Sequence, residues 1–195
     1  MRYLKGKYDH GFTLSELLVS MTISGLVMVA IYSSYVSQSK ASQIQGDVTL
    51  VQQNLRAGMY LMVEDIRMAG YDPTENAGAS IISGSITSNP QSTIQVSWDS
   101  NEDGVISSGT SEVINYQWDN TDSTLERAEG LSPTSSSWET VAENITGLEF
   151  TFLNSSGTTT TNASDVRTIQ ITLQGSNNGH SRQFTTQVLC RNLNL

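Results

Sequence analysis

Hydrophobic residues divide the chain into an uninterrupted apolar run, a helical stripe and a set of short alternating segments. Residues 17–39 carry no charge and are rich in Leu, Val, Ile and Met. As a helix, a run of this length is sufficient to cross a bilayer hydrocarbon core of roughly 30 Å. The first prediction is therefore a membrane-spanning helix.

Beyond this run, apolar residues recur at steps of four and three, which is typical of the buried stripe of an amphipathic helix. The stripe consists of Ile44, Val48, Val51, Leu55, Met59, Met62 and Ile66. No proline occurs between Phe12 and Asp72, so the run and the stripe can form one long helix. Gly70, followed by Pro73, predicts where that helix ends.

The rest of the chain alternates between apolar and polar residues, which predicts strands joined by turns. The predicted strands are residues 93–98, 112–118, 123–127, 148–153, 166–174 and 183–190, with a helical turn at 141–145. Together these elements predict an α+β fold. A long N-terminal helix packs its outer half on a small antiparallel sheet, whose other face lies in solvent.

The charge distribution and the cysteine content bear on nucleic-acid binding, on membrane orientation and on disulfide formation. The formal net charge is −9, and an acidic body of this kind argues against a nucleic-acid groove, which needs a basic stripe. Arg2, Lys5 and Lys7 precede the apolar run, so the positive-inside rule predicts a single-pass protein with a cytoplasmic N-terminus. Cys190 is the only cysteine, and its apolar strand predicts a buried side chain, although pairing with another chain stays open.

A single carboxylate, Glu16, lies at the head of the apolar run, and the next charged residue is Lys40. A carboxylate within a membrane span costs about 2.5 to 3.5 kcal/mol on insertion scales, so it usually has a function. The sequence around it is Gly11-Phe12-Thr13-Leu14-Ser15-Glu16. This motif resembles the processing site of type IV prepilins and of the related type II secretion pseudopilins.

The resemblance implies that a prepilin peptidase of the bacterial inner membrane cleaves between Gly11 and Phe12 and methylates the new amine of Phe12. The apolar segment then stays in the mature subunit. The resemblance also implies that Glu16 of one subunit lies beside the Phe12 amine of another in the filament. Removing one partner of a buried ion pair typically costs about 3 to 5 kcal/mol, so this pair would set the stacking register.

Two other interpretations of the apolar run are a secretory signal peptide and a plain membrane anchor. A signal peptide usually has an apolar region of about 7 to 15 residues and a small-residue cleavage site, and this run is longer. Neither interpretation accounts for the spacing of Gly11, Phe12 and Glu16.

Three further segments, residues 53–56, 65–71 and 190–193, resemble the PilW type of minor pilin. The resemblance implies a structural subunit that enters a type IV pilus, at or near its tip, alongside the major pilin and other minor pilins. Such subunits promote pilus assembly and affect motility, adhesion or DNA uptake. A type II secretion pseudopilin and a membrane-tethered, calcium-dependent adhesin remain the alternatives.

The predicted organisation follows from the motif and the helix. Residues 1–11 form a leader peptide, residues 12–39 the membrane or filament-core helix and residues 40–70 its amphipathic continuation. Residues 71–195 form a globular, β-rich domain. The final location is the pilus or cell surface.

An acidic segment between two predicted strands is a candidate calcium loop. Asp99, Asn101 and Asp103 alternate along it, Gly104 permits a sharp turn, and the Val105 carbonyl supplies a further oxygen. Oxygen ligands at alternate positions around a glycine turn are typical of calcium loops.

The closing ligand of this loop departs from the usual spacing. Thr110 occupies the twelfth position, where a glutamate normally binds in a bidentate manner, and Glu112 follows two residues later. A plain acidic turn is the alternative interpretation.

Catalysis has little support in the sequence. Beyond the predicted leader the chain has one histidine, His180, within an Asn-Gly turn, and it lacks a Gly-x-Ser-x-Gly motif and metal-spaced Cys/His sets. We therefore expect a protein that is not an enzyme and that requires no cofactor.

Overall fold

The computed structural model describes residues 11–81, 86–107 and 111–193. The leader residues Arg2, Lys5 and Lys7 and the Thr110 position of the acidic loop lie outside these ranges. The chain divides into two compact units, Met1–Gln45 and Gly46–Leu195, and the division falls within the first helix.

Helix α1 spans Leu14–Met68 without interruption, which confirms the prediction of one long helix. It ends where the sequence predicts, because Gly70 adopts a left-handed φ of 82° and donates its N–H to the Ser97 carbonyl at 2.9 Å. The five C-terminal residues of the predicted stripe are buried, whereas Ile44 is exposed and Val48 is half-buried. The buried stripe is Val51, Leu55, Met59, Met62 and Ile66.

Within the described ranges, seven strands form two antiparallel sheets. The first sheet has the order β1-β2-β3-β4, and its strands are Thr93–Ser97, Val113–Asp119, Thr124–Glu129 and Glu139–Ala142. The second sheet has the order β5-β6-β7, and its strands are Ile145–Leu153, Thr168–Asn177 and His180–Leu189. A short 3-10 helix, η1, lies at Ala163–Asp165.

Two details of the predicted fold differ from the structure. The strands divide between two sheets, and the helical turn expected at residues 141–145 is wrong. Val141 lies in β4, whose Ala142 pairs with Leu125, and β5 begins at Ile145. Asn144 adopts a φ of 60°, which turns the chain between these strands, and the Ile145 N–H binds the Ser123 carbonyl at 2.8 Å.

The last hairpin matches its sequence signal. Asn178 and Gly179 have φ values of 48° and 82°, as a two-residue type I′ turn requires, and Asn177 pairs with His180. Both amides reach helix α1, because the Nδ2 atoms of Asn177 and Asn178 donate to the Asp47 carboxylate at 3.1 Å each. The turn therefore ties the second sheet to the helix.

The C-terminal part of α1, from Val51 to Ile66, packs on both sheets in one hydrophobic core. A Cβ placed on Gly58 would lie 2.6 Å from a methyl of Leu125 in β3 and 3.4 Å from a methyl of Leu173 in β6. Phe150 and Phe152 of β5 are fully buried in the same core. Strand β7 is mostly exposed or half-buried along its length, as expected for a sheet with one face in solvent.

Candidate assembly and processing site

The side chains of Thr13 and Glu16 cap the N-terminus of α1. Thr13 precedes the first helical residue, and its Oγ1 accepts from the Glu16 N–H at 3.3 Å. The Glu16 Oε2 in turn accepts from the Thr13 N–H and from the Thr13 hydroxyl, both at 2.8 Å. This is a capping box, in which two helix-end donors are satisfied at once.

This capping role of Glu16 was not predicted from the sequence. Its signal was present, because Thr13-Leu14-Ser15-Glu16 matches the Ser/Thr-x-x-Glu pattern that precedes helices. Glu16 therefore caps its own helix, and its contact with Phe12 of another subunit stays a prediction.

Gly11 and Phe12 precede the helix and are accessible. Both residues are exposed, Phe12 to 88% of its surface, and the bond between them lies outside α1. A Cβ on Gly11 would meet no atom within 4 Å. Both residues of the predicted cleavage bond are thus exposed and lie outside the helix.

The first half of α1 presents large apolar side chains without cover. Leu14, Leu26, Met28 and Val29 each expose more than two thirds of their surface. Among the described residues, Leu14–Met68 is the one helix long and apolar enough to cross a membrane, and none of its most apolar stretch is buried. A patch of this size requires lipid or other helices to cover it.

The acidic loop, residues 99–105, follows β1. Its side-chain oxygens accept hydrogen bonds from backbone N–H groups of the same loop. The Asp99 Oδ2 accepts from the Gly104 N–H at 3.0 Å, and the Asn101 Oδ1 accepts from the Asp103 N–H at 3.0 Å. The Asp103 Oδ1 accepts from the Val105 N–H at 2.9 Å. These hydrogen bonds fold residues 99–105 into a local turn, and calcium binding by Asp99, Asn101, Asp103 and Val105 stays a prediction.

Glu112 lies at the base of the same loop and is buried. Its Oε1 accepts from the Ser100 hydroxyl at 3.3 Å, and its Oε2 accepts from the Ser107 N–H at 2.9 Å. Within the described ranges, no group of three or more His, Cys, Asp or Glu side chains is placed to hold a metal ion.

A polar cluster that the sequence did not reveal links α1 to the first sheet. The Asp65 Oδ2 accepts from the Tyr116 hydroxyl at 2.6 Å and from the Arg127 Nε at 3.0 Å. Burial, together with the hydrogen bond to Asp65, raises the pKa of Tyr116 well above its usual value. Arg127 also pairs with Glu129 at 3.0 Å, and hydrogen bonds to both carboxylates outweigh its burial and raise its pKa.

His180 lies in the β6–β7 hairpin, where it pairs with Asn177 across the strands. Strand pairing accounts for its position. The arrangement therefore supplies a structural explanation for the one histidine outside the predicted leader.

Comparison with known families gives two matches. Residues 45–190 match the family described as "Prepilin peptidase-dependent protein B". Residues 6–32 match the family described as "Prokaryotic N-terminal methylation motif". No curated protein matches the chain significantly.

Proposed function

We propose that this chain, which belongs to the prepilin peptidase-dependent protein B family, is a minor pilin of a type IV pilus. Its membership and its methylation motif make it a type IV pilin-like protein. The minor role, a position at or near the tip and the promotion of assembly are the proposed part. The single observation that carries the proposal is the uncovered apolar half of α1 directly after the motif.

Processing is the first step of the proposal. A prepilin peptidase hydrolyses the Gly11–Phe12 bond, and the same enzyme methylates the freed amine of Phe12. Exposure of both residues outside the helix supports this step. Cleavage at this bond removes the basic leader and leaves α1 intact.

The inner membrane holds the subunit before assembly, with its N-terminus in the cytoplasm. Lipid covers the apolar half of α1 at this stage. When the subunit enters the pilus, helices of the major pilin and of other minor pilins replace lipid as the cover. The same exposed side chains therefore serve both states, in support of motility, adhesion or DNA uptake.

Glu16 changes partners between these states. Its capping hydrogen bonds with Thr13 satisfy part of the carboxylate within the single subunit. In the filament the methylated amine of Phe12 from a neighbour supplies the opposite charge. A buried charge without this partner would be costly, so correct stacking is favoured.

Glu16→Gln separates the two roles, because glutamine keeps an acceptor for the capping box but has no charge. We expect the variant to be inserted and cleaved normally, and to be recovered in sheared pili at well below the wild-type level. Immunoblots of sheared-pilus and membrane fractions measure both quantities.

Thr13→Val is the matched control, because it removes a capping hydroxyl and keeps the carboxylate. We expect its recovery in pili to stay near wild type. Equal recovery of Glu16→Gln and wild type would contradict the charge pairing. Absence of the wild-type chain from pili, with a defect in protein secretion on its deletion, would identify a secretion pseudopilin instead.

A further inference from the structure

In the part of the chain that the structure describes, one buried carboxylate oxygen of the acidic loop has no hydrogen-bond partner. Asp99 is fully buried, and its Oδ2 binds the Gly104 N–H across the loop. Its Oδ1 is also buried and makes no hydrogen bond among the described residues. A buried, unsatisfied acceptor is unfavourable, and in a carboxylate the cost is larger.

Other oxygens of the loop are placed around the same turn. Asn101 and Asp103 alternate with Asp99 along the chain, and each binds the backbone N–H two residues ahead. Gly104 makes the turn with a φ of 79°. Such a turn directs side chains at alternate positions toward one centre, and the carbonyl of the next residue joins them.

Hydrogen bonds to neighbouring segments anchor the loop at its start and at its end. The Asp99 N–H donates to the Tyr71 carbonyl at 2.8 Å, directly after α1, and the Trp98 N–H donates to the Glu112 carbonyl at 3.0 Å. The Glu112 carboxylate joins Ser100 to Ser107, which are the two arms of the loop. The two arms of the loop are therefore held together without an ion, so less chain has to be ordered when one binds.

We propose that this loop binds one calcium ion through Asp99, Asn101, Asp103 and the carbonyl of Val105, with water completing the shell. The unpartnered Oδ1 of Asp99 is the observation that points to a cation. Two carboxylates, an amide and a carbonyl are the oxygen donors that calcium accepts, and its flexible coordination tolerates water at the remaining positions.

Glu112 holds the arms of the loop in this proposal, because both of its oxygens already accept hydrogen bonds from them. The proposal does not need Glu112 as a direct ligand. It is also independent of pilus assembly, since it concerns only residues after α1.

Terbium and calcium test the site in the full chain purified in detergent. Trp98 directly precedes Asp99, so terbium bound in the loop should show luminescence sensitised by tryptophan, and calcium should displace it. We also expect calcium to raise the melting temperature of the globular unit, and a chelator to reverse the rise. Magnesium at equal concentration should have a smaller effect, because it requires stricter geometry.

Asp103→Asn is the test variant, because Asp103 is exposed and asparagine preserves the acceptor for Val105. We expect calcium affinity to fall at least tenfold. Glu102→Gln removes an equal charge from a neighbouring position that is not a proposed ligand, and it should bind calcium like wild type. The proposal is wrong if calcium changes neither melting nor terbium emission, or if Asp103→Asn and Glu102→Gln weaken binding equally.

Discussion

Helix α1 has an N-terminal part, up to Gln45, and a C-terminal part, from Gly46 onward. The two parts contain similar apolar residues and differ in how exposed these residues are. In the N-terminal part, Leu26 and Ile31 expose 69% and 63% of their surfaces. In the C-terminal part, Leu55 and Ile66 are fully buried against the sheets. Helix formation is the same in both parts, so secondary structure alone does not decide the use of a hydrophobic residue.

The two parts of α1 therefore serve different purposes, one in folding of the subunit and one in its contacts with its surroundings. The C-terminal part of α1 stabilises the subunit, since its apolar face is satisfied within the chain. In the N-terminal part the large apolar side chains are exposed, so their surface is available to lipid or to other helices. Substitutions in the two parts should therefore change different measurements.

Leu55→Ala should have the largest effect on stability. Removing a fully buried leucine typically costs about 2 to 5 kcal/mol of unfolding free energy. Denaturant unfolding of the full chain in detergent, followed by tryptophan fluorescence, measures the loss. Leu26→Ala is the matched control and should leave this free energy unchanged; a comparable loss in both variants would show that the two parts do not differ.

Gly58→Ala should destabilise the globular unit by overpacking. The new Cβ would lie 2.6 Å from a Leu125 methyl that is itself fully buried, and overpacking typically costs about 1 to 3 kcal/mol. Gly46→Ala lies in the same helix with nothing within 4 Å of its Cβ, and it should stabilise by up to about 1 kcal/mol. Effects of the same sign in the two variants would contradict the close approach at Gly58.

Tyr116→Phe should cost about 0.5 to 1.5 kcal/mol near neutral pH, because one hydrogen bond to Asp65 is lost. The pKa of Tyr116 is raised in the folded state, so the stability from its neutral form is complete below the unfolded pKa of about 10. This stability is lost as the pH rises above that value. Wild type should therefore lose stability more steeply than Tyr116→Phe in alkaline denaturation curves, and parallel curves would contradict the assignment.

Cys190 should show the smallest effect, which is a change of reactivity alone. Burial raises the pKa of its thiol to about 12, so alkylation at pH 8 should be slow in the folded chain and fast in denaturant. Ser181→Cys, which adds an exposed thiol on β7, should react rapidly under native conditions. Rapid alkylation of native Cys190 would refute its burial.

Local patterns were predictable because each depends on a few neighbouring residues. The apolar stripe predicted the buried face of α1 from Val51 onward, and Gly70 predicted its end. Asn178 and Gly179 predicted the last hairpin. These signals are steric and hydrophobic preferences of short segments.

Contacts between distant segments were not predictable. Asp65 meets Tyr116 and Arg127 across separations of 51 and 62 residues, and neither strand carries a local mark of that partner. The division into two sheets also depends on pairing between strands, which alternation does not specify. The candidate calcium loop was partly predictable. Its residues form a sequence motif, but the Asp99 oxygen that lacks a partner among the described residues is visible only in the folded chain.

Assembly as a pilin requires that the apolar part of α1 is retained after cleavage between Gly11 and Phe12. Mass spectrometry of the N-terminal peptide from the natural protein tests this directly. We predict a peptide that begins with N-methylated Phe12 and continues through Glu16. A mature protein that begins at Met1, or at any residue after Lys40, would contradict the account.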